Sequence, residues 1–177
     1  MNTLTKIFGV LAVIPLLISG CAALPVQAET DEQSVLQGTI FREMLGKSVT
    51  DKAVVNFITS NNCSIAQQFQ LCKEIGMALW VDSNQRVEII YLYLNNEAGF
   101  TPYKGELPFG LKFYDTMGAV EYKLKRQGVG KDGLPDSGWT PDHMYYRAVY
   151  KQAGMTVIYN SPFVDEDATI QAVLITK

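Results

Sequence analysis

The stretch GMALWVDSNQRVEIIYLYLN, residues 76–95, indicates two strands joined by a polar turn. Met77–Val81 is apolar, Asp82–Gln85 has the composition of a turn, and Val87–Leu94 is rich in β-branched and aromatic side chains. Because side chains alternate between the two faces of a strand, the second run presents two different surfaces. The sequence therefore predicts a β-hairpin with one oily face and one aromatic face.

Alternation divides this second run into two sets of side chains. The set with Ile90, Leu92 and Leu94 is the more apolar, and we expect it to pack under a helix. The other set carries Tyr91 and Tyr93, whose rings would then be exposed on the far side of the sheet as a binding platform. The complete sets are Glu88, Ile90, Leu92 and Leu94, and Val87, Ile89, Tyr91 and Tyr93.

Length and composition favour an ordinary globular protein. The 177 residues have room for one domain or two small ones, and 47% hydrophobic with 19% charged residues suffices for a core. The net charge of −3 argues against a nucleic-acid partner, because phosphate contacts need a basic surface.

The first residues have the pattern of an export signal. After Lys6, the apolar run over 7–18 is too short for a comfortable membrane span and has the length of a signal-peptide core. Ile18-Ser19-Gly20-Cys21 resembles the lipobox of bacterial lipoproteins, which implies a lipidated Cys21 as the mature N-terminus. In that pattern Ala22 implies sorting to an outer membrane. The competing cleavage site is Val26-Gln27-Ala28, which would give a secreted or periplasmic protein.

These features divide the chain into three parts. We expect a lipoprotein signal peptide over 1–20, then the lipidated cysteine and a tether over 21–45, and an α+β domain over 46–177. The domain would have two similar halves, at about 46–105 and 106–177. The expected location is the cell envelope, anchored at the outer membrane and facing the periplasm.

Export also bears on the remaining cysteines. With Cys21 set aside, Cys63 and Cys72 are the only two left, and an oxidising compartment favours a disulfide between them. Two buried free thiols are the alternative. A zinc site is disfavoured because the spacing is too wide for a zinc knuckle and the only histidine, His143, is far away in sequence.

Periodicity and turn signals predict the elements along the chain. The first helix runs from Val49 to Ser60, capped by Ser48 or Thr50, and the second runs to Gln127 from a cap at Asp115 or Thr116. Residues 63–68 are predicted as a linker and 128–141 as a loop. The other predicted strands are Phe69–Val81, with a possible break at Gly76, and His143–Tyr150, Met155–Asn160 and Thr169–Thr176.

The order of elements suggests an internal duplication. Each predicted helix is followed by a strand, a polar turn and a strand, so the pattern is two tandem α-β-β units. A shift of 66 residues superposes the apolar stripes of the helices, and a shift of 69 residues places Asp82–Gln85 on Lys151–Gly154. Two unrelated stretches of the same type are the alternative. The expected fold is α+β, a two-layer sandwich with helices on one face of an antiparallel sheet.

This architecture resembles a known superfamily. The residues that carry the resemblance are 46–57, 76–93, 107–124 and 145–159. They are similar in arrangement to the β-lactamase-inhibitor-protein-like superfamily and to the small lipoprotein of the outer-membrane barrel-assembly machine. The resemblance implies a fold, and it implies binding of a protein by a concave sheet lined with aromatics. Aromatic residues that could serve here are Tyr91, Tyr93, Trp139, Tyr145, Tyr146 and Tyr150.

Catalytic and metal-binding patterns are weak. His143 has no nucleophile-elbow motif to complete a triad, and Gly130-Lys131 is followed by Asp132 where a phosphate loop needs Ser or Thr. The acidic run 165–167 lacks the spacing of a calcium loop. We therefore predict no enzymatic activity, cofactor or metal.

The favoured function is a non-catalytic protein-binding or assembly module of the envelope. The predicted contact residues are Tyr91 and Tyr93 with Tyr145 or Tyr146 from the second half. One alternative is a periplasmic inhibitor or immunity protein that acts against a toxin or hydrolase. The other is an envelope hydrolase whose carboxylates are not recognisable from sequence.

Overall fold

A computed structural model describes residues 41–94, 99–133, 137–139 and 144–177. Within these ranges the chain forms helices α1 (Lys52–Ser60) and α2 (Met117–Lys125) and a single antiparallel sheet, which confirms the α+β class. The strands are β1 (Ser64–Ala66), β2 (Phe69–Cys72), β3 (Met77–Val81), β4 (Val87–Tyr93), β5 (Gly138–Trp139), β6 (Tyr146–Tyr150), β7 (Met155–Tyr159) and β8 (Ile170–Thr176). Short 3-10 helices lie at Lys73–Ile75, Pro108–Gly110 and Lys151–Ala153.

The sheet has the order β1-β2-β3-β4-β8-β7-β6-β5. Every neighbouring pair is antiparallel, and β1–β4 and β5–β8 are each a meander of consecutive strands. The two meanders meet at β4 and β8, where Tyr91 pairs with Leu174. The last strand of each meander therefore lies in the middle of the sheet, and β1 and β5 form its edges.

Side-chain caps begin both helices. The Thr116 hydroxyl accepts a hydrogen bond from the backbone N–H of Ala119, as predicted for α2. The Asp51 carboxylate caps α1 by accepting from the N–H of Ala53, so the cap of α1 is Asp51 and not Ser48 or Thr50.

One hydrophobic cluster contains residues of both helices and of the sheet. Val54 of α1 and Val120 and Leu124 of α2 are fully buried there together with Ile90 and Leu92 of β4. The prediction that Ile90 and Leu92 pack inward is confirmed. At 25 cal/mol per Å² of buried apolar surface, such residues stabilise the fold by about 1.5–3 kcal/mol each.

A bulge changes the predicted faces at the start of β4. Val87 is fully buried in the core and Glu88 is exposed, which reverses their predicted positions. The reason is a register shift, because Trp80 pairs with Ile89 while Val81 pairs with Val87. The extra residue moves the alternation by one position, and the predicted sets hold only from Ile89 onwards.

Two predicted irregular segments contain strands. β1 lies in the predicted linker over 63–68, and β5 lies in the predicted loop over 128–141. The predicted tether is also too long at its C-terminal end. Residues 41–44 are helical, and Phe41 and Met44 are buried in the core cluster, so the folded part includes residue 41.

The predicted match between Asp82–Gln85 and Lys151–Gly154 is wrong. Asp82–Gln85 is the turn between β3 and β4, whereas Lys151–Ala153 is a 3-10 helix between β6 and β7 that ends at left-handed Gly154. The segment with this conformation in the first meander is Lys73–Ile75, which ends at left-handed Gly76.

Candidate binding surface

The sheet has a second face, opposite the core cluster, which we call the outer face. Cross-strand pairing places its side chains in rows, because directly opposed residues point to the same side. None of its members belongs to the core cluster. They are Phe69, Leu71, Ala78, Trp80, Ile89, Tyr91, Tyr93, Arg147, Val149, Thr156, Ile158, Ala172, Leu174 and Thr176. All are partly exposed except the buried Ala78 and Ala172.

Aromatic rings form a continuous row on one side of the outer face. The ring of Tyr91 contacts Phe69 edge-on at 5.9 Å and stacks on Tyr93 at 6.1 Å between centroids. Tyr93 stacks in turn on Phe100 at 4.4 Å, and the Lys73 ammonium lies 5.9 Å from the Phe100 centroid. Burial raises the pKa of Tyr91 above the ordinary value for a tyrosine. These contacts hold the rings in one arrangement before any partner binds.

The other side of the outer face is aliphatic and carries one charge. Val149, Ile158 and Leu174 are partly exposed there. Arg147 is the one charged residue at the paired positions of the face, to which the exposed Glu88 of the β4 bulge does not belong, and its Nε atom is buried without a hydrogen-bond partner.

The predicted contact residues are divided between the two faces. Tyr91 and Tyr93 lie on the outer face. Tyr145 is partly exposed and directly precedes β6. Tyr146 is wrongly assigned, because it is buried in the core cluster together with Tyr150. His143 lies outside the described residues.

Sequence reasoning missed three residues of the outer face. Phe69 and Trp80 pair directly and extend the aromatic row. Trp80 belongs to an apolar run without alternation, so its face could not be assigned from the sequence. Arg147 had a usable signal, since it is a lone charge in the strand sequence YRAVY.

The two cysteines form the predicted disulfide. Cys63 and Cys72 are bonded with their Cα atoms 4.1 Å apart, and Cys72 is fully buried. The bond connects the residue before β1 to the end of β2, which holds the edge strand β1 on β2. Cys21 lies outside the described residues.

A second polar feature lies in the core between β6 and β7. The hydroxyls of Tyr150 and Tyr159 are buried without a hydrogen-bond partner of good geometry. Burial raises the pKa of Tyr150 to about 12 and raises that of Tyr159 further, although the two hydroxyls are close enough to influence each other. Neutral phenols are therefore favoured in this core.

Two shallow grooves lie away from the outer face. One, of about 470 Å³, is lined by α2 residues that include Tyr122 and Arg126, and the other, of about 330 Å³, by Glu74 and the loop at 101–105. Neither lining contains two carboxylates. The part of the chain that the structure describes contains no cluster of three or more metal-ligating side chains. None of the helices in these same ranges is both long and apolar enough to cross a membrane.

Comparisons with known proteins give no assignment. No protein-family model, no curated protein and no solved structure matches the chain.

Proposed function

We propose that this chain is a cell-envelope lipoprotein whose folded domain binds a protein partner through the outer face and catalyses no reaction. The observation that carries the proposal is the continuity of apolar side chains across the sheet, with Arg147 as the single charge at the cross-strand paired positions of that face. Contiguous apolar surface of this extent is unusual on a monomer and marks interaction sites.

The shape of the surface favours a macromolecule over a small ligand. Eight strands at a spacing of ~4.8 Å make a surface about 34 Å wide. Small molecules prefer concave pockets that bury most of their surface, whereas proteins bind flat apolar patches with rigid aromatic anchors. Trp80, Tyr91 and Tyr93 are anchors of this kind.

The proposal includes a duplicated domain. A shift of 78 residues, from Gly76 to Gly154, superposes KEIGM on KQAGM and matches β2 and β3 with β6 and β7. The pairing between the meanders is symmetric as well, since Ile90–Ile175 and Leu92–Val173 flank the central pair Tyr91–Leu174. These features support two units that each have one helix and four strands, in place of the predicted α-β-β pattern.

The two-layer arrangement is also part of the proposal. The buried residues of α1 and α2 lie in the same cluster as the inward side chains of the sheet, which supports packing of both helices on one face. This build supports the resemblance to the β-lactamase-inhibitor-protein-like superfamily, in which a sheet face grips a protein. An inhibitor or immunity protein would use the same face and differ only in its partner.

The anchor is proposed from the lipobox alone. Metabolic labelling with a palmitate analogue tests it, and we expect label on the wild type and none on Cys21→Ala. Equal labelling of the two proteins would exclude Cys21 as the anchor and favour cleavage after Ala28.

The binding face is tested by placing a photo-crosslinking amino acid at Trp80 or Tyr91 of the full chain in cells. We expect adducts with the same partner from both positions. The matched control is Tyr122 on α2, which is 63% exposed and lies off the outer face. Adducts from Tyr122 alone would contradict the proposal.

The competing hypothesis is a hydrolase. A hydrolytic site would need two carboxylates that converge in a pocket, one of them with a perturbed pKa. Neither described groove has such a pair, and no specific observation favours this function.

A further inference from the structure

Arg147 is the most unusual residue of the outer face. It lies in β6 between Gly138 of β5 and Ile158 of β7, and neither cross-strand neighbour offers a polar side chain. Its Nε is buried without a hydrogen-bond partner. The ion pairs among the described residues are Lys123–Asp115 and Lys131–Glu121, and neither involves Arg147.

This arrangement has a free-energy cost in the unbound protein. A buried polar group without a partner destabilises the folded protein, because it loses its hydrogen bonds to water and gains none in return. The strand itself does not require the charge, because the proposed duplication places apolar Phe69 at the matching position of β2. An arginine held at this cost is best explained by a ligand that satisfies it.

The surroundings define the chemistry of that ligand. Arginine presents parallel N–H donors that match a carboxylate in a bidentate geometry. The neighbouring row of the face is Ile158, Ala172 and Tyr93, which carries no charge. When a partner covers this row and excludes water, the attraction between the guanidinium and a carboxylate becomes stronger.

We propose that the outer face binds a protein segment in which one carboxylate is flanked by apolar side chains. The carboxylate pairs with Arg147, and the apolar side chains cover Ile158 and Leu174 and extend towards the aromatic row. Tyr93 is three strands from Arg147, so an aromatic anchor of the partner would lie about 14 Å from its carboxylate. This inference rests on the proposed function of the face.

Two matched fluorescent probes test the chemistry on the full chain. They are 1-pyrenebutyrate and 1-pyrenebutanol, which share an apolar ring system and differ in the carboxylate. We expect the carboxylate probe to bind more tightly, and Arg147→Leu to weaken it about tenfold while binding of the alcohol is unchanged. The control is Arg126→Leu, which removes an exposed charge from α2 and should change neither affinity.

The outcomes separate the two proposals. Equal affinity of the wild type for both probes, or no effect of Arg147→Leu, overturns the role of Arg147 and leaves the apolar face intact. If neither probe binds, the proposal that the outer face is an apolar binding surface is contradicted. Arg147→Leu should also fold, because leucine is compatible with a strand and the variant has no unsatisfied Nε. We expect urea unfolding to show that it is at least as stable as the wild type.

The crosslinked partner gives the second measurement. We expect the yield of the Trp80 adduct to fall about tenfold with Arg147→Leu and to recover in part with Arg147→Lys, which keeps the charge and loses the bidentate geometry. An undiminished adduct with Arg147→Leu would overturn the inference, whereas the absence of any Trp80 adduct in the wild type would contradict the proposed function.

Discussion

The β1–β4 and β5–β8 meanders share their strand pairing and differ in the side chains that they place on it. In the proposed duplication, the outer-face positions of Phe69, Trp80 and Tyr91 in the first meander correspond to those of Arg147, Ile158 and Leu174 in the second. Inward-facing residues at matching positions are mostly apolar in both. The two meanders therefore contribute similar apolar side chains to the core and different side chains to the outer face.

The two meanders are also stabilised differently. The first has Cys72 in the disulfide where the second has Tyr150 in the core. The first closes β3 and β4 with a tight turn in which the Asp82 carboxylate accepts from the N–H groups of Asn84 and Arg86. The second closes β7 and β8 with a longer loop that exposes Phe163.

The largest expected difference between the meanders is at their matching glycines. Gly76 has φ +70°, and a Cβ there would clash with the Thr101 carbonyl oxygen and the Tyr103 backbone nitrogen. Gly154 has φ +59°, and its Cβ would meet the Thr176 oxygen at 2.7 Å. We expect Gly76→Ala to cost about 3 kcal/mol and Gly154→Ala about 2 kcal/mol, from backbone strain and contact with backbone atoms.

The control for this pair is Gly128→Ala, measured by urea unfolding. Gly128 has φ +77°, and no heavy atom lies within 4 Å of the position that an added Cβ would occupy. Only the backbone strain of about 1 kcal/mol therefore applies there. Equal losses at Gly76 and Gly128 would show that the loop at 101–103 does not lie against Gly76.

Particular residues show how much of this fold the sequence could predict. Apolar periodicity identified both helices, and alternation placed Ile90, Leu92 and Tyr91 correctly. Alternation assigned Val87 to the wrong face, because a bulge between paired strands depends on the partner strand and leaves no local signal in the sequence. It failed again at Tyr146, where aromatic character is equally compatible with a core or a surface.

The elements that were missed have no local periodicity. β1 is three residues long and β5 is two, and both are strands only because β2 and β6 offer backbone partners. For the candidate site, the sequence predicted one tyrosine row. The pairing that brings Arg147 into line with Ile158 and Ala172 is a property of the assembled sheet.

The next difference concerns the disulfide of the first meander. We expect Cys63→Ala with Cys72→Ala to lower the free energy of unfolding by about 2.5 kcal/mol, because the short closed loop loses its constraint on the unfolded chain. Differential scanning calorimetry with and without a reductant measures it. If the double variant and the oxidised wild type melt together, the bond contributes nothing to the edge hairpin.

The tyrosine pair of the second meander should respond to alkaline pH. The folded-state pKa of Tyr150 is about 12 and that of Tyr159 is also raised, above an unfolded value of 10. The contribution of these two protonated phenols to the free energy of unfolding is therefore complete below pH 10 and is lost as the pH rises towards 12. We expect the wild type to lose about 1 kcal/mol more than Tyr159→Phe between pH 8 and pH 11 in urea unfolding. Parallel pH profiles would contradict a raised pKa at Tyr159.

Small effects are expected where the two meanders meet on the outer face, at Tyr91 and its partner Leu174, and the smallest is that of Leu174. Both side chains are partly exposed, and threonine retains strand propensity at either position. Tyr91→Thr removes ring contacts with Phe69 and Tyr93 and should cost about 1–1.5 kcal/mol, whereas Leu174→Thr should cost about 0.5 kcal/mol. Urea unfolding measures these losses. The reference variant is Ile90→Thr, at the buried residue next to Tyr91, which we expect to lower the free energy of unfolding by about 3 kcal/mol. Losses at Tyr91 and Leu174 as large as at Ile90 would mean that the outer face is a second core, and a binding surface would then have to lie elsewhere.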